Sequence, residues 1–336
     1  MIKNNGRHNY RSPVLKSNIP QPSLLLDFSK SLSLGSFVTF SRSTTATNTN
    51  SSGLLATTNI DTPRFGYNPT TLQSLGLFLE ESRTNILLNS LLNGTNLSTQ
   101  TVTTTAVPYT LSFYGTGTIV LTGTNISTQI GSGAYPSRKI FTFTPTAGSL
   151  ILTVTGTVQY AQLEIGSSAT SFIPTAGSQV VRGADLASIT GSNFTSWYNA
   201  SEGTLLVESI HANLTTRNSA FISDGTSSNR MGITTVAGAY ETFRFQSSSG
   251  NFFASDNVIC GDNVPSKIAI SYKASNQNMA VNGRAVSVTP LAVIPTVNSL
   301  YIGADATGLN QLNGYVSTLT YYPQALTSTQ LQTLTT

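Results

Sequence analysis

Six charged residues between positions 40 and 90 are the first candidates for chemistry in this sequence. Only 9% of the 336 residues are charged, yet this stretch holds Arg42, Arg64, Arg83, Asp61, Glu80 and Glu81. A guanidinium can hold a carboxylate through two parallel hydrogen bonds, and such pairs fix loops that lack regular structure. We therefore predict structural ion pairs among these six residues. The alternative is that the arginines reach across to another subunit.

The acidic residues are not spaced for paired acid and base catalysis. Glu80 and Glu81 are adjacent, so on a strand their side chains point to opposite faces and cannot form a glycosidase pair. Glu202 and Glu208 would share one strand face but lie roughly 20 Å apart. The sequence also lacks a phosphate-binding loop, a dinucleotide fingerprint and a nucleophile elbow. We expect a protein that is not an enzyme and that needs no cofactor.

Histidine and cysteine are too scarce to build a metal centre. His8 and His211 stand apart from any other metal ligand at a suitable spacing. Cys260 is the single cysteine, which excludes an internal disulfide. We interpret Cys260 as a small buried apolar residue.

Two further groups of side chains could bind a ligand. One loop offers the oxygen donors that calcium prefers, namely Asp256, Asn257, Asp262 and Asn263. The alternative is that these are ordinary polar residues at strand ends. Trp197, beside Tyr198, could stack on a sugar ring if it were exposed. The alternative for Trp197 is a hydrophobic plug between domains, because the burial of so large a side chain is strongly favourable.

The first 26 residues differ from the remainder in charge. They contain no acid and four basic residues, Lys3, Arg7, Arg11 and Lys16, which account for the whole net charge of +4. Their prolines favour extended backbone. Because the arm has no dense Lys/Arg run, we expect it to dock on an acidic protein surface rather than on nucleic acid. No signal-peptide pattern and no run of about 18 apolar residues occur, so we expect synthesis in a cytoplasm without membrane insertion.

The remaining chain predicts an all-β protein. Abundant Thr, Ser, Asn and Gly, with regular apolar–polar alternation, is typical of β-sandwiches. We predict five regions: an extended basic arm (1–26), an irregular β module (27–94), a small jelly-roll sandwich (95–175), a linker (176–202) and a larger concanavalin-like jelly-roll sandwich (203–336).

Local patterns make three sharper predictions. Asn282-Gly283 is a two-residue hairpin turn between alternating segments. Thr327 and Gln330 have capping-box spacing at the start of a short C-terminal helix. Leu87, Leu88, Leu91 and Leu92 suit one or two helical turns.

Several of these segments resemble proteins of tailed-bacteriophage particles. The run "SRSTTAT", followed by "PRF" and "LGLFLEESRTN", resembles a module of tail-fibre or head-decoration chains. The segment "FTFTPTAGSLILTVTGTVQYAQLEIGSSATSFIPT" is similar to the jelly-roll unit that follows that module. The C-terminal "GYVSTLTYYPQALTSTQLQTL" resembles the end of laminin-G-like and concanavalin-like lectin sandwiches. Together these resemblances cover roughly residues 40–336.

The resemblance implies a structural protein on the surface of a virion, assembled in the host cytoplasm. Its partners would be other capsid or tail proteins, further copies of itself in a trimer, and possible host-surface glycans. The alternative is a dedicated receptor-binding tail protein that recognises carbohydrate. The sequence contains no heptads or strict repeats for a long stalk, which favours a head decoration or a short fibre.

Overall fold

The computed structural model describes residues 19–211, 216–226, 228–236, 240–247, 250–259, 263–288 and 292–336. Within these ranges nearly all regular structure is β-strand, so the all-β prediction is confirmed. Two short helices occur there, α1 (Gly191–Thr195) and α2 (Ser328–Thr335). Neither is long and apolar enough to cross a membrane. The arm residues Lys3, Arg7, Arg11 and Lys16 lie outside the described residues, as do His8 and Cys260.

The first described segment, residues 19–94, contains seven short strands. They are β1 (Leu24–Asp27), β2 (Thr39–Ser41), β3 (Ala46–Thr49), β4 (Leu55–Thr58), β5 (Arg64–Tyr67), β6 (Ser74–Leu79) and β7 (Arg83–Asn85). The predicted helical turns at Leu87–Leu92 are wrong, since this stretch has no helix. Leu87 is buried and Leu88 is exposed. The backbone of this stretch runs along the adjoining small sandwich without forming a helix.

Residues 95–175 form a small sandwich of seven strands. They are β8 (Gln100–Thr104), β9 (Tyr109–Tyr114), β10 (Thr118–Gly123), β11 (Ser127–Ile130), β12 (Lys139–Phe143), β13 (Gly148–Thr155) and β14 (Gln159–Ile165). One sheet has the order β11-β10-β13-β8 and the other β12-β9-β14. Inward residues such as Leu111, Phe113 and Leu163 fill the space between the sheets, and Ile86 and Leu87 complete this core from the preceding segment.

The remaining strands belong to the second half of the chain. They are β15 (Val180–Arg182), β16 (Leu186–Thr190), β17 (Glu202–His211), β18 (Arg217–Ser223), β19 (Arg230–Val236), β20 (Tyr240–Ser247), β21 (Gly250–Ile259), β22 (Ser266–Lys273), β23 (Asn278–Val281), β24 (Arg284–Val286), β25 (Ser299–Ile302) and β26 (Gly314–Tyr322). Asn282 and Gly283 turn the chain between β23 and β24 with positive φ at both positions, which confirms the predicted hairpin. Thr327 and Gln330 form the predicted capping box of α2.

These strands form a large sandwich together with strands from the start of the chain. One sheet has the order β24-β23-β22-β17-β26-β6-β5, with β1 also paired to β26. The facing sheet has the order β2-β16-β25-β18-β19-β20-β21. The shared core joins residues more than 100 positions apart, for example Leu26, Phe28 and Leu77 with Val207 and Leu319. The predicted division between 27–94 and 203–336 therefore does not separate two hydrophobic cores.

The stretch 176–202, predicted as a linker, also contributes regular structure. β15 pairs with β7, and β16 lies between β2 and β25 in the large sandwich. Helix α1 places Phe194 in the same core, against Trp197. This stretch thus connects the two sandwiches while forming part of the larger one.

Candidate functional site

A buried cluster of five charged side chains lies where the first segment meets both sandwiches. Arg42 Nη1 lies 2.8 Å from Asp185 Oδ1, and Arg64 Nη1 lies 2.8 Å from Glu80 Oε2. Arg64 also contacts the second oxygen of Asp185. Arg182 Nη1 completes the cluster at 2.6 Å from Glu80 Oε2. All five side chains are at most 3% exposed.

Neighbouring groups satisfy most of the oxygens and nitrogens that remain, the exceptions being the buried Nε atoms of Arg64 and Arg182. The Ser171 N–H and hydroxyl donate to the two oxygens of Glu80 at 2.7 and 2.6 Å, and the Glu80 N–H donates to Asp185 Oδ2 at 2.9 Å. Arg42 donates to the carbonyl oxygens of Thr44 and Asn59. A buried pair stabilises a fold only when its remaining donors and acceptors are satisfied in this way. The cluster therefore connects residues 42–80, the loop after β14, strand β15 and the residue just before β16.

The cluster keeps Glu80 ionised. Burial alone would raise the pKa of this carboxyl, but Arg182 and Arg64 together with the Ser171 hydrogen bonds lower it to about 2. A general acid must hold its proton near the working pH, so Glu80 is unsuited to that role at neutral pH.

A second, less buried group continues from this cluster. Arg83 Nη2 lies 2.7 Å from Glu81 Oε1, and Arg217 Nη2 lies 3.4 Å from the same oxygen. Burial would raise the pKa of Glu81, and the two guanidiniums with Asn313 lower it. Arg83 also donates to the carbonyl oxygen of Ile165, which ties the small sandwich to this group.

Five of the six residues singled out from the sequence thus take part in ion pairs within the chain. The exception is Asp61, whose Oδ1 accepts the backbone N–H of Arg42 at 2.9 Å and forms no ion pair among the described residues. Sequence reasoning missed the partners Asp185, Arg182 and Arg217. Their only signal was the rarity of charged residues, because ion pairs between residues more than 100 positions apart leave no spacing pattern in the sequence.

A groove lies on the outer face of one sheet of the large sandwich, the sheet with the order β2-β16-β25-β18-β19-β20-β21. Its volume is about 270 Å³. Tyr301 on β25 is half-buried, and its strand neighbour Ser188 on β16 stands directly opposite. Leu186 forms one wall with 43% of its surface exposed. Hydroxyl groups of Thr39, Ser41 and Thr307 also line the groove. An aromatic ring among hydroxyls gives a surface that is apolar in one part and hydrogen-bonding in the other.

The loop that closes this groove is held in place by Asp305. Its Oδ1 accepts the Thr307 N–H at 3.0 Å, the Thr307 hydroxyl at 2.6 Å and the Leu309 N–H at 3.0 Å. Asp305 is only 7% exposed, so its carboxylate is committed to the loop. The groove is therefore preformed, which reduces the ordering cost of binding.

Trp197 does not serve as a sugar platform. Its side chain is only 4% exposed and packs against Phe194 and Tyr321, with ring centroids 4.9 and 4.8 Å away. The hypothesis that Trp197 stacks on a sugar is wrong, because its ring fills the core of the large sandwich. The aromatic residue at the groove, Tyr301, was not singled out from the sequence.

The calcium hypothesis stays a prediction, because the structure describes the side chain of only one of the four proposed donors, Asn263. Asp256 and Asn257 lie on β21, and Asp262 lies outside the described residues. Asn263 is exposed, and its N–H donates to the carbonyl oxygen of His211 at 2.9 Å. Among the described residues, no three His, Cys, Asp or Glu side chains are grouped to hold a metal ion.

Comparisons with known proteins agree with this architecture. Residues 177–332 match the family model of the concanavalin A-like lectin/glucanases superfamily. No curated protein sequence matches the chain significantly.

Solved structures with a similar fold include the CBM40 module of the Ruminococcus gnavus IT-sialidase bound to α2,3-sialyllactose, at 10% identity and a TM-score of 0.37. That match covers 41% of this chain and 83% of the module. A mutant of the NanB sialidase of Streptococcus pneumoniae matches at 15% identity and the same TM-score, covering 44% of this chain and 26% of the enzyme. Likeness at this level carries no information about a ligand. The family match, by contrast, covers most of the large sandwich. The C-terminal part of this chain therefore contains a laminin-G/concanavalin-like sandwich domain.

Proposed function

We propose that this chain is a non-enzymatic glycan-binding protein whose large sandwich holds carbohydrate in the groove around Tyr301. The observation that carries this proposal is a preformed groove with an aromatic ring and several hydroxyls, located on a lectin-type sandwich. A tyrosine ring can pack against the C–H face of a sugar while its hydroxyl remains hydrogen-bonded. No charged side chain other than the committed Asp305 lines the groove in the part of the chain that the structure describes, so the favoured ligand is a neutral glycan.

A glycan array probed with the intact chain tests this proposal. The expected result is selective binding that is lost in Tyr301→Ala. Tyr67→Ala is the matched control, because Tyr67 is also half-buried but lies on β5, at the edge of the opposite sheet. Flat binding by the wild-type chain, or equal retention in Tyr301→Ala, would contradict the proposal.

We further propose that the chain is a structural protein of a bacteriophage particle, displayed on its surface as a head decoration or short fibre. Support comes from the resemblance of residues 40–90 and from the arm, which carries the whole excess of positive charge. The arm would anchor the protein to a capsid or tail protein, and trimers would project the sandwiches outward. A receptor-binding tail protein is the alternative within this class.

Cryo-electron microscopy of particles with and without this chain tests the structural role. Missing density at one particle location supports it, and identical maps would refute it. Removal of residues 1–18 should abolish incorporation while the isolated protein keeps its melting temperature, because these residues precede all described strands. Light scattering of the purified chain measures the proposed trimer directly.

A further inference from the structure

A second cavity lies at the junction of the small sandwich, the β3–β4 hairpin and strand β26. Its volume is about 190 Å³. One water molecule needs only about 10–15 Å³ of such volume, so a single sugar ring can be accommodated. The side chains that matter for binding are Phe78, Glu80, Tyr114, Tyr135, Arg138 and Tyr315.

Two aromatic pairs line this junction cavity. The rings of Phe78 and Tyr315 are stacked with centroids 4.5 Å apart, and those of Tyr114 and Tyr135 lie 5.2 Å apart. The Tyr135 hydroxyl forms a 2.8 Å hydrogen bond with the hydroxyl of Thr49, on strand β3 of the β3–β4 hairpin. This bond fixes the Tyr135 ring. The Phe78 ring is covered by Tyr315 and by the Arg64 guanidinium, 4.4 Å from its centroid, so the apolar wall of pyranose size is the Tyr114–Tyr135 pair.

Two tyrosine hydroxyls in the cavity have no hydrogen-bond partner among the described residues. They belong to Tyr114, which is only 7% exposed, and to Tyr315. Burial raises the pKa of both phenols, so each remains a protonated donor at neutral pH. Neither hydroxyl is among the buried polar atoms that lack a partner, so both are open to the cavity and can donate to a ligand oxygen there.

Arg138 supplies a positive charge that is not neutralised by an ion pair in the described chain. Its guanidinium lies over the Tyr114 ring, 5.8 Å from the centroid, and donates to the carbonyl oxygen of Thr170 at 2.6 Å and to the Ser112 hydroxyl at 2.7 Å. Its Nε is buried without a partner. A guanidinium in this state favours a carboxylate ligand.

The surrounding charges reinforce this preference. Glu80 lines the cavity, but Arg64, Arg182 and Ser171 occupy its oxygens. Glu164 lies beyond Thr170 and accepts hydrogen bonds from Thr170 and Gln162. Of the charged groups that the structure describes, only Glu80 and Arg138 line the cavity, and with Glu164, Asp185, Arg42, Arg64 and Arg182 behind its wall three carboxylates are set against four guanidiniums. Positive charge therefore exceeds negative charge around the cavity.

We propose that the junction cavity is a second carbohydrate site, specific for a sugar that carries a carboxylate, such as a hexuronate. The sugar carboxylate would pair with Arg138, its hydroxyls would bond to Tyr114 and Tyr315, and its ring would pack on the Tyr114–Tyr135 pair. This site is separate from the Tyr301 groove and differs from it in preferring an anionic ligand.

Calorimetric titration of the intact chain with D-glucuronate and D-glucose tests this inference. The two sugars differ in the carboxylate, so glucuronate should bind at least about tenfold more tightly. Arg138→Gln should remove that preference, and Lys30→Gln, which removes a surface charge outside the cavity, should leave it unchanged. Equal affinities for the two sugars, or no heat from glucuronate up to about 10 mM, would overturn the proposal.

Tyr114→Phe provides a second variant in case Arg138→Gln fails to fold. It keeps the ring and removes only the unpartnered hydroxyl, so the fold should be retained while glucuronate binding weakens severalfold. An unchanged affinity in Tyr114→Phe would overturn the assignment of the cavity. Loss of glycan-array binding in Tyr301→Ala with glucuronate binding intact would show that the two sites are independent.

Discussion

At the scale of single residues, Asp185 is the acid on which two buried arginines depend. Arg42 and Arg64 both contact its carboxylate, and all three side chains are fully buried. Removal of one member of such a group leaves charges that neither water nor a partner can stabilise. Asp185 lies just before β16, at a position that no sequence pattern singles out.

Substitution Asp185→Asn should destabilise the protein by about 3–5 kcal/mol, because it leaves two guanidiniums without their shared carboxylate. Urea unfolding followed by tyrosine and tryptophan fluorescence measures the change. Asp27→Asn is the control, since Asp27 pairs with the exposed Lys30 at the surface. A similar loss in both variants would show that burial of the ion pair is not the cause.

The pKa of Glu80 makes stability depend on acidity. Its folded-state pKa of about 2 lies below the ordinary value of 4.5, so Glu80 contributes stability above about pH 5 that is lost as pH falls toward 2. The difference corresponds to about 3 kcal/mol. Urea midpoints measured between pH 7 and pH 2 should fall accordingly, and Glu80→Gln should be less stable at pH 7 with a flatter dependence. Parallel curves for the two proteins would contradict this assignment.

At the scale of elements, Gly66 and Gly76 allow strands β5 and β6 to join the large sandwich. The two glycines are paired across the strands, and the Tyr315 ring occupies the space where a Gly66 side chain would lie. Gly76 has a φ of +102°, and a Cβ there would come within 2.3 Å of the Val316 carbonyl oxygen. The addition of β5 and β6 to β26 therefore depends on the absence of these two side chains.

Gly76→Ala should destabilise the protein by about 2 kcal/mol or more, because both the backbone conformation and the contact with β26 oppose a methyl group. Thermal unfolding measures the loss. Gly177→Ala is the matched control, since a Cβ at Gly177 meets nothing within 4 Å. An unchanged melting temperature for Gly76→Ala would mean that β6 can separate from β26 without cost.

At the scale of the whole molecule, the large sandwich is assembled from both ends of the described chain. Strands β1, β5 and β6 extend one sheet, and β2 forms an edge of the other. Residues 203–336 alone would thus lose β16 and α1 together with these strands. Apolar core residues such as Leu205 and Leu319 would then be exposed to water.

A fragment of residues 203–336 should therefore fail to fold, although it spans most of the family match. In contrast, residues 84–176 should fold alone, because they contain both sheets and the entire core of the small sandwich. Circular dichroism and cooperative thermal melting of the two fragments distinguish these outcomes. A cooperative transition in the 203–336 fragment would show that the strands from residues 24–79 are dispensable.

The sequence by itself determined the strand content and several local structures. Apolar–polar alternation predicted the all-β fold, and the Asn282-Gly283 turn and the Thr327 cap follow from short-range backbone chemistry. It also identified five of the charged residues that form ion pairs. These features depend on contacts between neighbours in the chain or on composition, so they can be predicted without knowledge of the tertiary structure.

Only the tertiary structure decided which distant residues meet. Asp185 and Arg182 reach Glu80 across more than 100 residues, and Tyr301, not Trp197, lies beside a groove. Trp197 is buried because the two sheets close over it; its size makes burial favourable, but only the tertiary structure shows that it lies in the core of the large sandwich. The pairing of strands from residues 24–79 with β16 and β26 likewise depends on complementary surfaces of separate segments, and this complementarity exists only once the chain has folded.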